Sequence, residues 1–328
     1  MPDIQNPIAF LRSQFFSVPP YPTKKYTGQT IIVTGSNVGL GLEAARHFVR
    51  LDAAKVILAV RSLEKGEVAK ESIEASTGRT GVVEVWQLDL SHYESVKDFA
   101  KRAQGLARLD VLVENAGIVT FKFSMMEDDE STIKTNVVSP ILHSLLLLPK
   151  LRETGAKFNT LPRLVFVTSF VHWMTEFPER EEENIFEALA DEKKARMDDR
   201  YNLSKLLEMY GVQEIAERVT ASSSKKGKVV VNHSNPGWVI TEAMREWTGL
   251  QMFVFKFFRA ILARSTEVGS RTTVNAAEGG EETHGHFLDD CTIGERSPLL
   301  QDKDVQKRVW SDLAEKLEKI QPGILQNL

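Results

Sequence analysis

Tyr201 and Lys205 stand four residues apart in the pentapeptide "YNLSK", a spacing that puts both side chains on one face of a helix. An ammonium at that distance lowers the pKa of a phenol from its free value of about 10 and brings it within reach of acid–base work near neutrality. Without such a neighbour the phenol is a poor base. Taken alone, the pair is also what any amphipathic helix shows. A second group lies far upstream, where Gly35, Gly39 and Gly41 in "TGSNVGLG" separate the apolar run "TIIV" from the helical "LEAARHFVRL". A glycine-rich turn between a strand and a helix lets backbone N–H groups and the positive end of the helix face a pyrophosphate, with no Cβ in the way. Ser36, Asn37 and Leu40 belong to the same turn.

The elements that must hold these residues are legible as pattern. Runs rich in Val, Ile and Leu at Thr30 to Thr34, Lys55 to Val60, Val82 to Leu88, Leu109 to Val113, Leu164 to Thr168 and Val229 to Asn232 read as buried strands. Segments between them carry apolar residues three and four apart, such as Val96, Phe99, Ala100 and Ala103, or Leu203, Leu206, Leu207 and Tyr210. The alternation predicts an α/β fold: a Rossmann-like, doubly wound parallel sheet with helices on both faces. One domain is expected over 26–328, preceded by an N-terminal arm over 1–25. Two stretches break the rhythm. Residues 172–200 are charge-dense and read as an insertion near the active site, part of a lid. Residues 242–264, rich in Phe, Met, Trp and Leu, read as a substrate-side excursion.

Further motifs follow the glycines in order. "ENAG" runs from Glu114 to Gly117 after the fourth strand, Asn136 sits in "TIKTNVVSP", Ser169 ends the fifth strand in "VFVTSF", and "NPGWVIT" spans Asn235 to Thr241. Together these resemble the short-chain dehydrogenase/reductase family, which has a TGxxxGxG turn, and are most similar to fungal members of its retinol-dehydrogenase-like branch. The resemblance implies that Tyr201 exchanges a proton with the substrate oxygen, Ser169 hydrogen-bonds that oxygen, and Lys205 also grips the nicotinamide ribose. Asn136 would hold a water that relays protons to the lysine. Asp89 would lie beside the adenine, Asn115 beside its ribose with Ala116 and Gly117 next to it, and Pro236, Gly237, Val239 and Thr241 would line the nicotinamide side. Two departures stand out. Glu114 replaces the first Asn of the family's NNAG, and a carboxylate accepts but cannot donate when ionised. The gap between Ser169 and Tyr201 is longer than in many members.

The second strand ends "LAVRS", where a carboxylate would hold a ribose 2′-hydroxyl and a cation a 2′-phosphate. Arg61, aided by Ser36, suits the phosphate, so NADPH is the expected cofactor. The net charge of −4 and pI of about 6.1 give no basic excess for nucleic acid. The lone Cys291 leaves no intrachain disulfide partner and fits a reducing, cytoplasmic setting. The greasiest run, Leu250 to Ala263, carries Lys256 and Arg259 and falls short of the roughly 20 apolar residues of a membrane span, though it could touch a membrane surface. The sequons at Asn202 and Asn232 read as chance matches. The expected activity is hydride exchange between NADP(H) and a carbonyl or alcohol of a lipophilic small molecule, such as a polyketide-like fungal metabolite. Rivals are a nucleotide-using isomerase or epimerase and a non-catalytic NADPH-binding regulator. An oligomer is compatible with all three.

Overall fold

The computed structural model describes residues 17–239 and 263–328. Six strands, β1 (Thr30–Thr34), β2 (Lys55–Val60), β3 (Val83–Gln87), β4 (Val111–Glu114), β5 (Arg163–Val167) and β6 (Val230–Asn235), run parallel. A short β7 (Phe287–Asp289) pairs in parallel with β6, and β8 (Thr292–Ile293) closes that edge antiparallel. The order across the sheet is β8-β7-β6-β5-β4-β1-β2-β3. The long helices are α1 (Gly39–Arg50), α2 (Leu63–Thr77), α3 (Tyr93–Gln104), α4 (Ser139–Phe158), α5 (Arg200–Lys226), α6 (Thr266–Glu278) and α7 (Lys303–Ile320).

Alternation along the strands builds two cores, one on each face of the sheet. Ile31, Val33, Leu58 and Val113 face the core that contains Phe48 of α1, Ile73 of α2 and Val274 of α6. Their neighbours Ile32, Ile57, Leu112 and Phe166 face the other, with Phe99 of α3, Leu145 of α4, Leu207 of α5 and Leu313 of α7. Continuous apolar runs are therefore read twice, which is why they showed no polar face in the sequence. Helix α5 lies between the sheet, α4 and α7, and its first half is buried on nearly every side.

The stretch over 172–200 is anchored to the body of the fold. It folds into short helical turns whose Phe177, Ile185, Phe186 and Leu189 are buried in the main core beside α7. The Ile185 N–H donates to Asp312 Oδ2 of α7 at 2.9 Å, and Arg308 of α7 donates to the Glu182 carbonyl. Charged residues mask an apolar set whose partner is a helix more than a hundred residues away. The described part of the N-terminal arm is likewise fastened: Arg264, Arg271 and Arg50 donate to the carbonyls of Ser17, Pro19 and Pro22 at 2.8, 2.9 and 2.8 Å. Most of the aromatic excursion, with Thr241, lies outside the described residues.

Candidate active site

Strand order reverses between β1 and β4, so the loops leaving their carboxyl ends diverge and open a crevice. The glycine turn lies at its floor. Gly35 and Gly39 adopt φ of 64° and 65°, which side chains resist. A Cβ on Gly35 would stand 2.8 Å from Ala116 Cα, and one on Gly41 would stand 2.8 Å from Gly35 O and overlap the Asn115 amide. The protein's own packing against 115–117 demands those two glycines. Gly39 differs, because nothing lies within 4 Å of where its Cβ would be. Val38 gives α1 no side-chain cap and the first turn carries no acid, so the helix end leaves N–H groups for an anion.

Thr34 ties this floor together. Its Oγ1 accepts from the N–H groups of Asn115 and Ala116 at 2.9 and 3.0 Å, and Asn115 Nδ2 donates to Thr34 O at 2.8 Å. Ser36 is buried and its Oγ donates to Val33 O at 2.7 Å, which engages the hydroxyl hydrogen inside the turn. Arg61 is exposed just past β2 and takes no side-chain partner among the described residues. Asp89 follows β3 and accepts from the Ser91 hydroxyl and N–H at 2.6 and 3.0 Å.

Glu114 proves well served where the sequence left its role open. It is buried, and its oxygens meet Thr34 Oγ1 at 3.3 Å, Ser144 Oγ at 3.2 Å and His143 Nδ1 at 2.6 Å. Three donors replace the amide usually found there and lock β4 to β1 and α4.

Asn136 lies in a π-helical stretch, Lys134–Val138, that precedes α4. Its Oδ1 accepts from Ile118 N at 2.8 Å, and its Nδ2 donates to Ile118 O at 2.9 Å and Ser204 Oγ at 3.0 Å. Both amide hydrogens are used to join the 118 loop to α5, so the Asn136 side chain could hold a water only as an acceptor. A Cβ on Gly117 would come 3.2 Å from Asn136 Oδ1 and 3.9 Å from Lys205 Nζ, which places these three residues together. Ser169 caps the turn after β5, its Oγ accepting from Val171 N at 3.4 Å and donating to none of the described residues. Tyr201 is half-buried at the start of α5 and its hydroxyl takes no protein partner among the described residues.

The turn after β6 completes the enclosure. Asn235 Oδ1 accepts from Gly237 N at 3.2 Å and Phe170 N at 3.3 Å, coupling the Pro236–Gly237 turn to the residue after Ser169. Val239 is buried, and a Cβ on Gly269 of α6 would stand 2.5 Å from its Cγ2 and 3.0 Å from Leu40 Cδ2.

The short chain dehydrogenase model matches residues 29–172. A short chain dehydrogenase/reductase of Cryptosporiopsis sp. is 46% identical over 98% of this chain and 100% of its own length. A short chain dehydrogenase of Emericella nidulans is 49% identical over 86% of this chain and 90% of its own length. The chain belongs to the short-chain dehydrogenase/reductase family. Among solved structures, an uncharacterized protein from Mycobacterium paratuberculosis matches with a TM-score of 0.68 at 27% identity, covering 90% of this chain and 96% of the other. A short chain dehydrogenase from Shigella flexneri complexed with NADP shares the fold, with a TM-score of 0.55 at 21% identity over 82% of this chain and 99% of the other.

In this short-chain dehydrogenase/reductase the Tyr201–Lys205 pair departs from the simple electrostatics of two residues. Lys205 Nζ donates to Val167 O at 3.0 Å and to Glu208 Oε2 at 2.8 Å, deep in the protein. Burial raises the Tyr201 pKa above the ordinary phenol value; Lys205 pulls it down and Glu208 pushes it up again. The net direction is opposite to the one the spacing implied. Burial also works against the Lys205 ammonium, yet Glu208 and Tyr201 hold its pKa above that of a free lysine. The sequence reading gave no role to Glu208, Thr34, Asn235 or Gly269. Thr34 and Asn235 open motifs quoted from the sequence and Glu208 is an acid three residues beyond the lysine, whereas Gly269 carried no local signal.

Proposed function

We propose that this enzyme exchanges a hydride between NADP(H) and a carbonyl or alcohol of a lipophilic small molecule, of the polyketide-like kind found in fungal secondary metabolism. The observation that carries the reading is the Tyr201 hydroxyl, which has no partner among the described residues, on the helix face that also bears the buried ammonium of Lys205. The glycine turn and the open end of α1 fit a dinucleotide pyrophosphate. Bound nicotinamide supplies or receives the hydride. Tyr201 exchanges the proton with the substrate oxygen, which Ser169 steadies by hydrogen bonding. Lys205 holds ribose hydroxyls and carries the charge that bears on the phenol, while Asn136 keeps the 118 loop against α5. Asn37, Leu40, Asp89, Asn115, Pro236 and Val239 line the nucleotide's course.

Arg61 supports NADPH over NADH, since an exposed cation without an ion-pair partner among the described residues at the end of β2 suits a 2′-phosphate. A lipophilic substrate is supported by Phe121, Met125 and Met174, large apolar side chains left exposed on the segments that follow β4 and β5. Fungal relatives of nearly full length support the metabolic setting. The test is a panel of lipophilic aldehydes, ketones and alcohols with each cofactor, read by nicotinamide absorbance. Stoichiometric cofactor consumption, faster with NADPH, is expected. Substrate conversion without cofactor consumption would replace this reading with an isomerase, and binding without any conversion would replace it with a regulator.

A further inference from the structure

The acid beside Lys205 is the buried group that the chemistry above does not use. Lys205 and Glu208 lie three apart on α5, their charged atoms 2.8 Å apart and their side chains 6% and 2% exposed. Water therefore screens the pair little, and the carboxylate cancels much of the ammonium's field at its neighbours. The charged groups that bear on Tyr201 are Lys205 and Glu208 of its own helix. Those that bear on Glu208 are Lys205 and, from β4, Glu114, which is in turn held by His143 of α4. From β5, the Val167 carbonyl accepts a second of the three Lys205 ammonium hydrogens.

We propose that Glu208 is a positioning residue that anchors and partly neutralises Lys205, and so keeps Tyr201 a protonated phenol suited to donating its proton to a carbonyl. The assignment of the proton to Tyr201 rests on the oxidoreductase reading given above. Removing the carboxylate leaves the ammonium unopposed, which favours the phenolate. The direction is the reverse of what simple damage to the site would cause. Burial first, then the nearby Glu114 charge, pushes the Glu208 carboxyl up to about 7 against the pull of Lys205. The acid is thus ionised throughout the alkaline range in which the phenol titrates.

The experiment is the pH titration of Tyr201 in the protein without substrate, followed by the ring Cζ chemical shift of labelled tyrosine, with Tyr201→Phe identifying the resonance. Glu208→Gln keeps the shape and an acceptor for Lys205 but loses the charge. Its Tyr201 midpoint should fall by at least about one pH unit, and in turnover the loss of carbonyl reduction at high pH should begin at correspondingly lower pH. An unchanged or raised midpoint would overturn the proposal. Should Glu208→Gln fail to fold, Glu208→Asp, which draws the charge back by one methylene, must lower the midpoint by a smaller amount, and no shift there would overturn it equally. The titration needs no turnover. A lowered midpoint in a protein that consumes no cofactor with any carbonyl would sustain the Glu208 assignment while ending the oxidoreductase reading.

Discussion

At the scale of single residues, the site divides into positions set by the chain's own packing and positions left for a ligand. Gly41 belongs to the first kind, since a Cβ there overlaps the Asn115 amide and stands 2.8 Å from Gly35 O. Gly41→Ala should cost about 1–3 kcal/mol of stability by overpacking and weaken both nicotinamide cofactors alike; denaturant unfolding and fluorescence binding measure the two effects. Arg61 belongs to the second kind. Arg61→Ala should weaken NADPH roughly 10- to 100-fold, the loss of a charged hydrogen bond, with little change for NADH. Equal losses for both cofactors would remove the 2′-phosphate from its account. The spacing of Tyr201 and Lys205 was legible because helix geometry is local. Their electrostatics were not, because the burial of Glu208 depends on β4 and α4, which no local pattern brings to α5.

At the scale of elements, strong periodicity told the truth and weak periodicity misled. All six apolar runs read as strands are strands, shifted by three residues at most at their ends. β7 was missed because three residues, "FLD", give too short a run to show a period. Dense charge over 172–200 hides an apolar set, in which Phe177 and Ile185 are fully buried and Phe186 is 2% exposed. Those side chains pack on α7, so the stretch is part of the fold that positions α5. Phe186→Ala should accordingly cost about 3–5 kcal/mol in global stability, the range for truncating a buried aromatic side chain. A loss below about 1 kcal/mol in denaturant unfolding would mean that the stretch is only loosely held and adds little to the cooperative core.

At the scale of the whole molecule, the two-sided sheet buries polar groups whose protonation then depends on folding. His172 gives Nδ1 to Ser169 O at 2.8 Å and receives Ser297 N at Nε2 at 3.3 Å. Burial lowers its pKa to about 4 and that of His233 to about 3, so both are neutral in the fold. The unfolded chain binds these protons near pH 6.5 and the folded one does not. Burial lowers the pKa of His47 to about 4 as well, so stability is intact above about pH 6.5 and lost as the pH falls toward 4, by about 4 kcal/mol per pH unit when all three contribute. His233→Gln should flatten that slope by about a third in denaturant melts. The whole assembly, from glycine turn to buried lysine, has one purpose in this account, to deliver a proton through Tyr201 as the hydride moves. The most direct test is cofactor consumption by Tyr201→Phe with a carbonyl that the native enzyme reduces, alongside NADPH binding by fluorescence. The account predicts unchanged binding and turnover lowered by at least ~10²- to 10⁴-fold, the contribution of a positioned acid. A folded Tyr201→Phe protein that binds NADPH and reduces the same carbonyl at near the native rate would contradict it.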